Sequence, residues 1–419
     1  MNVSKILKNF TLLLLLWNGF SSSGQTHVYD PRVKSIQLHR DGFVLSKPWI
    51  RLNSDEQLLL SFDILDEEEE TMYYTFVHCD ANGKPDELQN YEFIKGFQEN
   101  EIEDINASFQ MEQDYQHYSL LFPNENIQLT KSGNYKIIIY KETLEEPLFE
   151  KSFWIVEQKV NIEAQVIACT ASGQRQRKQE IRFEIKPAGV RIYNPYDDIS
   201  IAIMQNGDWQ NRITDIQPKS IIEDKINYEY DGLLCINGLN EYRQFNTKSL
   251  YTQSERVKRI YVKHDSVQVE LFTDKTRNNL AYFQTDDIDG ECFIGSQDRK
   301  DFQLESEYVL VHFSLESRFP VQEADVYIYG ALSGWQVTGE SKMQYDYQNH
   351  RYHNSLYLKQ GIYDYQYLVV NKKQERDYVF FENTHSETQN QYTIFVYFDE
   401  PGSFYQRLIG IKSIESYER

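Results

Sequence analysis

The sequence predicts an all-β, multi-domain protein built from antiparallel β-sandwiches that follow a cleaved signal peptide. Three observations support this fold class. Apolar and polar residues alternate with a period of two along many segments, glycine turn dipeptides fall beside these segments, and helical periodicity is scarcely visible. A period of two buries one face of a strand and leaves the other in water, which is typical of antiparallel sheets.

The first residues have the pattern of an export signal. Lys5 and Lys8 precede an apolar run over residues 10–17, and small residues occupy the −3 and −1 positions before Gln25. This pattern predicts a signal peptide over residues 1–24. A membrane anchor needs roughly 20 apolar residues, and this run is shorter. The mature chain is therefore expected outside the cytoplasm, with no integral membrane segment.

The alternating segments locate the strands of the body. Residues 160–166, 181–186 and 267–271 alternate without a break, and Tyr363, Tyr365, Tyr367 and Val369 share one face of a further segment. Turn dipeptides stand beside strand-like runs, where glycine adopts positive φ at little cost. They are Asn82-Gly83, Ser132-Gly133 and Asp289-Gly290.

Breaks between strand-like runs suggest three domains after the signal peptide. A strand closes at residues 153–156 before Val160 opens the next run, and residues 296–303 are polar and charged. We expect an N-terminal β-sandwich over residues 25–157, a middle β domain over 158–297 and a C-terminal β-sandwich over 298–419.

The charge and the cysteines limit partners and redox state. The formal net charge of −21 disfavours nucleic acid and anionic membranes, whereas a basic protein surface or a neutral ligand stays acceptable. One or two disulfides are possible in an exported chain with four cysteines. Because each cysteine falls in a different predicted strand, reduced and partly buried thiols are favoured. The cysteines are Cys79, Cys169, Cys235 and Cys292.

Motifs that carry catalysis or bind metals are not found. The sequence has no G-x-S-x-G, H-E-x-x-H or G-x-x-x-x-G-K-[ST] pattern. His350 and His353 would point to opposite faces of a strand, which disfavours a shared metal. Residues 287–290 are similar to part of a calcium loop, but Thr285 and Ser296 stand where its first and last ligands should be. We therefore expect no catalytic residues, no metal and no cofactor.

The C-terminal part resembles the early-set β-sandwiches that bind glycogen and starch. A strand ends in Gly330-x-x-x-x-Trp335, and a later strand carries Tyr363-x-Tyr365. In such modules aromatic rings stack on sugar faces, and Trp335 matches one of these positions. The resemblance implies an early-set-like fold for residues 298–419. It also implies an alternative function, in which the chain is an extracytoplasmic carbohydrate-binding protein that uses the C-terminal sandwich and has a glycan as partner.

A second resemblance covers nearly the whole mature chain. Its segments look like the type 9 secretion system plug protein family, the first of them like the family's first domain. They are residues 117–124, 132–135, 194–196, 204–209, 240–245, 359–365 and 388–392. Asp208 departs from the family pattern, in which a basic residue is expected.

This second resemblance implies a non-enzymatic protein in the periplasm of Bacteroidetes-type bacteria. Such a protein is expected to bind the outer-membrane translocon β-barrel and plug its periplasmic mouth. The residues that contact the translocon are not assigned by any motif. A third interpretation of the alternating strands is an outer-membrane barrel. Two observations oppose it: the polar faces of the strands are often charged, and the mean hydropathy is −0.62.

Overall fold

Antiparallel strands form nearly all of the regular structure, which confirms the predicted fold class. The computed structural model describes residues 25–65, 68–264 and 266–417. The predicted signal peptide, residues 1–24, lies outside the described residues. Within the described part of the chain, the strands assemble into three β-sandwiches. No helix among these residues has the length and apolar character needed to cross a membrane.

The first sandwich pairs two sheets, with strand orders β1-β12-β11-β5-β7 and β2-β4-β9-β8. Strand β3 adds to β12 in parallel, and β6 pairs with β10. Its core lies between the sheets and includes Phe62, Tyr118, Tyr135 and Phe153. The strands are β1 Thr26–Val28, β2 Val33–Arg40, β3 Trp49–Arg51, β4 Leu58–Ile64, β5 Tyr73–Cys79, β6 Ile94–Gly96, β7 Glu99–Glu101, β8 Asp104–Ala107, β9 Gln116–Phe122, β10 Ile127–Leu129, β11 Gly133–Tyr140 and β12 Pro147–Val156, with a short helix α1 at Asn90–Phe93.

The second sandwich is assembled from two separate parts of the chain. One sheet has the order β13-β14-β18-β17 with β19 on β14, and the other has the order β16-β15-β30-β31. The first part comprises α2 Pro195–Asp198 and the strands β13 Val160–Ala168, β14 Lys178–Pro187, β15 Ile199–Gln205, β16 Asp208–Ile213, β17 Ser220–Ile222, β18 Lys225–Asn227 and β19 Cys235–Asn237. The second part comprises β30 Gln391–Phe398 and β31 Arg407–Glu415.

The third sandwich is inserted between β19 and β30. In one sheet β28 pairs with β20, β23, β25 and β29, and the other has the order β21-β22-β24-β27-β26. Tyr363, Tyr365, Tyr367 and Val369 lie buried on one face of β28, as the period of two predicted. The strands are β20 Arg243–Asn246, β21 Val257–Lys263, β22 Ser266–Leu271, β23 Cys292–Ile294, β24 Tyr308–Glu316, β25 Ala324–Tyr329, β26 Gln344–Asp346, β27 Arg351–Lys359, β28 Gly361–Asn371 and β29 Arg376–Asp377, with one 3-10 turn at Ala331–Ser333.

Strand pairing crosses the boundary that we expected at residue 297. Strand β15 pairs with β30 along its whole length, and β20 and β23 pair with β28. Segments on both sides of residue 297 therefore share sheets. Hydrophobic periodicity shows which face of a strand is buried but not which strand lies beside it, so an insertion of this kind leaves no trace in the pattern.

Two of the four cysteines form a disulfide, which corrects the expectation of reduced thiols. Cys169 and Cys235 are bonded, with their Cα atoms 5.6 Å apart. Cys169 follows β13 and Cys235 begins β19, and both of these strands pair with β14. Placement in different strands did not keep the sulfurs apart, because the two strands flank the same neighbour. Cys79 and Cys292 are free thiols.

Candidate functional site: the junctions between the sandwiches

Asp63 lies at the centre of the junction between the first and third sandwiches. Its carboxylate, on β4, is completely buried. It accepts hydrogen bonds from His117 Nδ1 at 2.6 Å, from Tyr308 Oη at 2.6 Å and from Lys359 Nζ at 2.7 Å. His117 is on β9 of the same sandwich, whereas Tyr308 and Lys359 come from the third. A buried charge of the first sandwich is thus neutralised by a buried charge of the third.

The environment of Asp63 favours its charged carboxylate, although burial lowers the pKa of its partner Lys359. Burial alone would raise the pKa of the Asp63 carboxyl, but the Lys359 ammonium and the His117 imidazole outweigh burial and hold the pKa below its ordinary value. Lys359 Nζ also donates to the carbonyl of Gln303 at 2.7 Å and lies 4.0 Å from the ring centroid of Tyr115. The junction is fixed by charge and by directed hydrogen bonds together.

Aromatic side chains form the junction between the first and second sandwiches. Trp154 of β12 packs against Trp209 and Phe395, with ring centroids 5.1 and 5.2 Å away. All three are at most 3% exposed. At the edge of this cluster Arg407 Nε donates to Glu157 Oε1 at 2.9 Å. Burial would raise the pKa of Glu157, but its hydrogen bonds from Arg407 and Ser132 lower it.

Asp208 connects the second sandwich to the third. This buried carboxylate of β16 accepts hydrogen bonds from Tyr329 Oη at 2.9 Å and Tyr378 Oη at 3.0 Å. Arg376 Nη1 donates to Tyr329 Oη at 2.8 Å and completes the network. Burial raises the pKa of Asp208 although these donors and the Arg376 charge oppose it. Asp208, noted above as a departure from the family pattern, is therefore a junction residue.

Trp335, the candidate sugar-stacking residue, lies next to this junction and is 5% exposed. Its ring makes edge contacts with Tyr329 at 5.6 Å and with Tyr242 at 6.3 Å. A Cβ added to Gly290 would come within 2.5 Å of the indole. In this arrangement the indole packs as a core side chain, and neither of its faces is open for a sugar to stack on.

Where ionisable side chains of the described residues cluster, they mostly form hydrogen-bonded ion pairs with one another. Arg243 donates to Glu382, to Asp274 and to the carbonyl of Lys275, all inside the third sandwich. Among the described residues, Cys169, Glu180 and Cys235 approach closely enough to hold a metal, but both sulfurs belong to the disulfide. The arrangement suits mechanical rigidity, since the charges face each other across junctions or lie within a core.

A polar cleft opens at one end of the first sandwich, with a volume of about 470 Å³. It is lined by residues 50–57, 123–125, 128–129 and 155. The Glu56 carboxylate in this cleft accepts hydrogen bonds from the backbone and side chain of Arg51. These bonds hold the pKa of Glu56 below its ordinary value although burial acts in the opposite direction. Glu56 is therefore engaged in an ion pair with Arg51.

The sequence pattern does not identify Asp63, Lys359 or Asp208 as ion-pair or hydrogen-bond centres. A usable signal exists for the first two. Asp63 interrupts the apolar strand Leu58–Ile64, and Lys359 ends the alternating strand Arg351–Lys359. An ionisable residue within an otherwise buried strand predicts a buried partner, but it does not say which residue the partner is.

Comparisons with known proteins agree with the second resemblance. Residues 33–157 match the type 9 secretion system plug protein 1st domain. A crystal structure of a hypothetical protein from Parabacteroides merdae ATCC 43184 is 34% identical, with a TM-score of 0.91, and the alignment covers 94% of this chain and 100% of that one.

Weaker structural similarities carry no argument. The C-terminal domain of the Streptococcus agalactiae AgI/II polypeptide BspA is 7% identical with a TM-score of 0.16, over 90% of this chain and 98% of that one. The C-terminal domain of the Streptococcus pyogenes antigen I/II-family protein AspA is 8% identical with a TM-score of 0.15, over 91% and 99%. No protein of curated function matches the chain. The first-domain match and the full-length structural relative agree with each other: the chain belongs to the type 9 secretion system plug protein family, and its role lies in type 9 secretion.

Proposed function

We propose that this chain is a non-enzymatic periplasmic protein that binds the outer-membrane type 9 translocon barrel and closes its periplasmic mouth. The observation that carries the proposal is the set of three buried junctions. Each pair of sandwiches is held by its own contacts, centred on Asp63, Trp154 and Asp208. Three sandwiches held together by such junctions form one body that can block a channel by its shape.

Charge supplies a second argument for this role. The chain carries a formal net charge of −21, which favours encounter with a basic rim and keeps the free protein soluble. A plug must also leave when cargo arrives. An interface built on charge and polar contacts releases more readily than a large apolar one.

The test is recovery of the barrel followed by a conductance measurement. Tagged mature chain is incubated with detergent-solubilised outer membranes of the native host, and we expect it to retain one large β-barrel protein. Reconstituted into a planar bilayer, that barrel should lose conductance when the chain is added on its periplasmic side. Failure to recover a barrel, or an unchanged conductance, contradicts the proposal.

A junction variant separates rigidity from simple binding. Lys359→Met should retain the barrel but leave a higher residual conductance, because the first and third sandwiches become loosely coupled. Lys342→Met removes an exposed ion pair with Asp325 at the same distance of 2.7 Å and serves as the control. Equal conductance with both variants would show that rigidity at the junction is irrelevant to closure.

A further inference from the structure

A small pocket opens at one edge of the second sandwich, between its two sheets. Its volume is about 240 Å³. Strand β16 is the edge strand of one sheet, and β19 lies beside β14 in the other. The pairing of β15 with β16 shifts register between Ile203 and Gln205, and both of these residues line the pocket. Because a bulge interrupts the ladder and redirects side chains, the pocket lies where the sheet is locally irregular.

The walls of the pocket are largely aliphatic. Ile203 and Ile213 belong to one sheet, Ile236 belongs to the other, and Leu239 follows it along the chain. Tyr378 of the third sandwich completes the lining, and burial raises the pKa of its hydroxyl, which keeps the ring neutral. A cavity of about 150 Å³ with aliphatic and aromatic walls holds benzene. This pocket therefore has room for a ring or short chain that carries a polar group.

Lys178, the first residue of β14, is the one charged side chain among the described residues that line the pocket. Its ammonium group is half-buried and makes no ion pair or hydrogen bond within the described part of the chain. Asn211 of β16 lines the opposite sheet, and its side-chain amide likewise has no hydrogen-bond partner among the described residues. The pocket thus presents two unused donors, one of them charged.

The loop that leads into Lys178 adds further positive charge. Between β13 and β14 the chain carries Arg175 and Arg177 and no acidic residue. Neither arginine side chain has an ion pair in the part of the chain that the structure describes. Three cations therefore stand together at this edge of a chain whose formal net charge is −21.

The carboxylates beside this loop do not cancel its charge. Glu180 accepts a hydrogen bond from Arg182 Nε at 2.8 Å, and Asp231 accepts one from Lys219 Nζ at 2.7 Å, so each of these two has a cation of its own. Glu387 is the third, since the residue before it donates its N–H to the loop. Three cations less this one carboxylate leave a local balance of +2. The edge is therefore suited to an anion.

We propose that this pocket binds a small carboxylic acid with an apolar body, whose carboxylate meets Lys178 and Asn211. Hydrogen bonds from an ammonium to a carboxylate are among the stronger ones in proteins, and the aliphatic walls favour burial of the rest of the ligand. A neutral apolar ligand would leave the ammonium desolvated without a partner, and an inorganic anion would gain nothing from the walls. A free acid and the last residue of a polypeptide share this chemistry. The inference goes beyond the plug function and does not depend on it.

Titration of the full mature chain with phenylpropionate and with its neutral amide, followed by saturation-transfer NMR, tests the proposal. The acid should bind with a Kd of about 1 mM or tighter. The amide should bind at least about tenfold more weakly, because it loses the charge-assisted hydrogen bond. Added salt should weaken the acid and leave the amide unchanged. The peptide Ala-Ala-Leu with a free carboxylate separates the two sources: equal binding assigns the site to polypeptide ends, and no binding assigns it to free acids.

Variants locate the binding in this pocket. Lys178→Met should lose at least about tenfold in affinity for the acid and keep its affinity for the amide. Since Lys178 has no ion pair to lose, this variant should unfold in urea like wild type. Lys412→Met removes an exposed lysine of β31 in the same sandwich and should bind like wild type. Asn211→Trp fills the pocket and should abolish binding of both ligands.

Three results would overturn the proposal. The first is an acid that binds no better than its amide, since charge is then irrelevant. The second is equal affinity for the acid in Lys178→Met and wild type. The third is binding that survives Asn211→Trp, because the ligand then lies elsewhere on the chain.

Discussion

Replacing Lys359 by methionine tests whether a buried ion pair holds the first and third sandwiches together. The side chains of Lys359 and Asp63 are 1% and 0% exposed. Methionine at position 359 keeps most of the volume of the lysine stem. Asp63 would retain its hydrogen bonds from His117 and Tyr308 but lose its cationic partner. Breaking a buried pair from one side costs about 3–5 kcal/mol, because an uncompensated charge stays buried.

Urea unfolding followed by tryptophan fluorescence measures this cost. Lys359→Met should lower the unfolding free energy by that amount, and its transition should split as the third sandwich separates from the first. Lys342→Met, whose pair with Asp325 is half exposed, should cost less than about 1 kcal/mol. Adding Asp63→Asn to Lys359→Met should cost less than the sum of the single changes, since neither charge then remains buried. Equal costs for Lys359→Met and Lys342→Met would refute the reasoning.

Three further predictions address the cores. Burial would raise the pKa of Glu382, but the charges of Arg243 and Arg277, together with the hydrogen bonds that Glu382 accepts, outweigh burial and lower the pKa from 4.5 to about 2. Stability should therefore fall by about 3 kcal/mol as the pH drops from 4.5 to 2, and acid titration of Glu382→Gln should show a flatter profile. Without reductant, only two of the four cysteines, Cys79 and Cys292, should be alkylated in denaturant. Replacing Cys169 and Cys235 by alanine should lower the free energy of unfolding in urea by about 4 kcal/mol, because their disulfide closes a loop with a sequence separation of 66. Trp335→Ala should cost about 3–5 kcal/mol by the same measurement, the response of a core residue, and a loss below about 1 kcal/mol would contradict its burial.

Strand positions and buried faces were predictable from the sequence. The alternating run at 160–166 falls within Val160–Ala168, and the run at 181–186 falls within Lys178–Pro187. The tyrosines of Gly361–Asn371 are buried where alternation placed them. Periodicity carries this information because the two faces of a strand have different environments wherever one face packs on a core.

Partner choice between distant strands was not predictable. The second sandwich needs Gln391–Phe398 beside Ile199–Gln205, and the intervening residues build another sandwich. The disulfide and the contacts of Asp63 and Asp208 depend on that arrangement. Each residue alone shows at most that an ionisable group is buried, whereas its partner is fixed only when the three sandwiches meet.

The chain leaves the second sandwich to form the third and returns to the second at a neighbouring position. Thr388 Oγ1 donates to the Leu239 carbonyl at 2.9 Å, and His385 N–H donates to the same oxygen at 2.8 Å. During synthesis, β15 pairs with β16 but must wait for Gln391–Phe398 before it gains its second neighbour, β30. A chain released early would leave an apolar sheet edge exposed to proteases and to other chains. An unfinished molecule is therefore expected to be most vulnerable at its second sandwich.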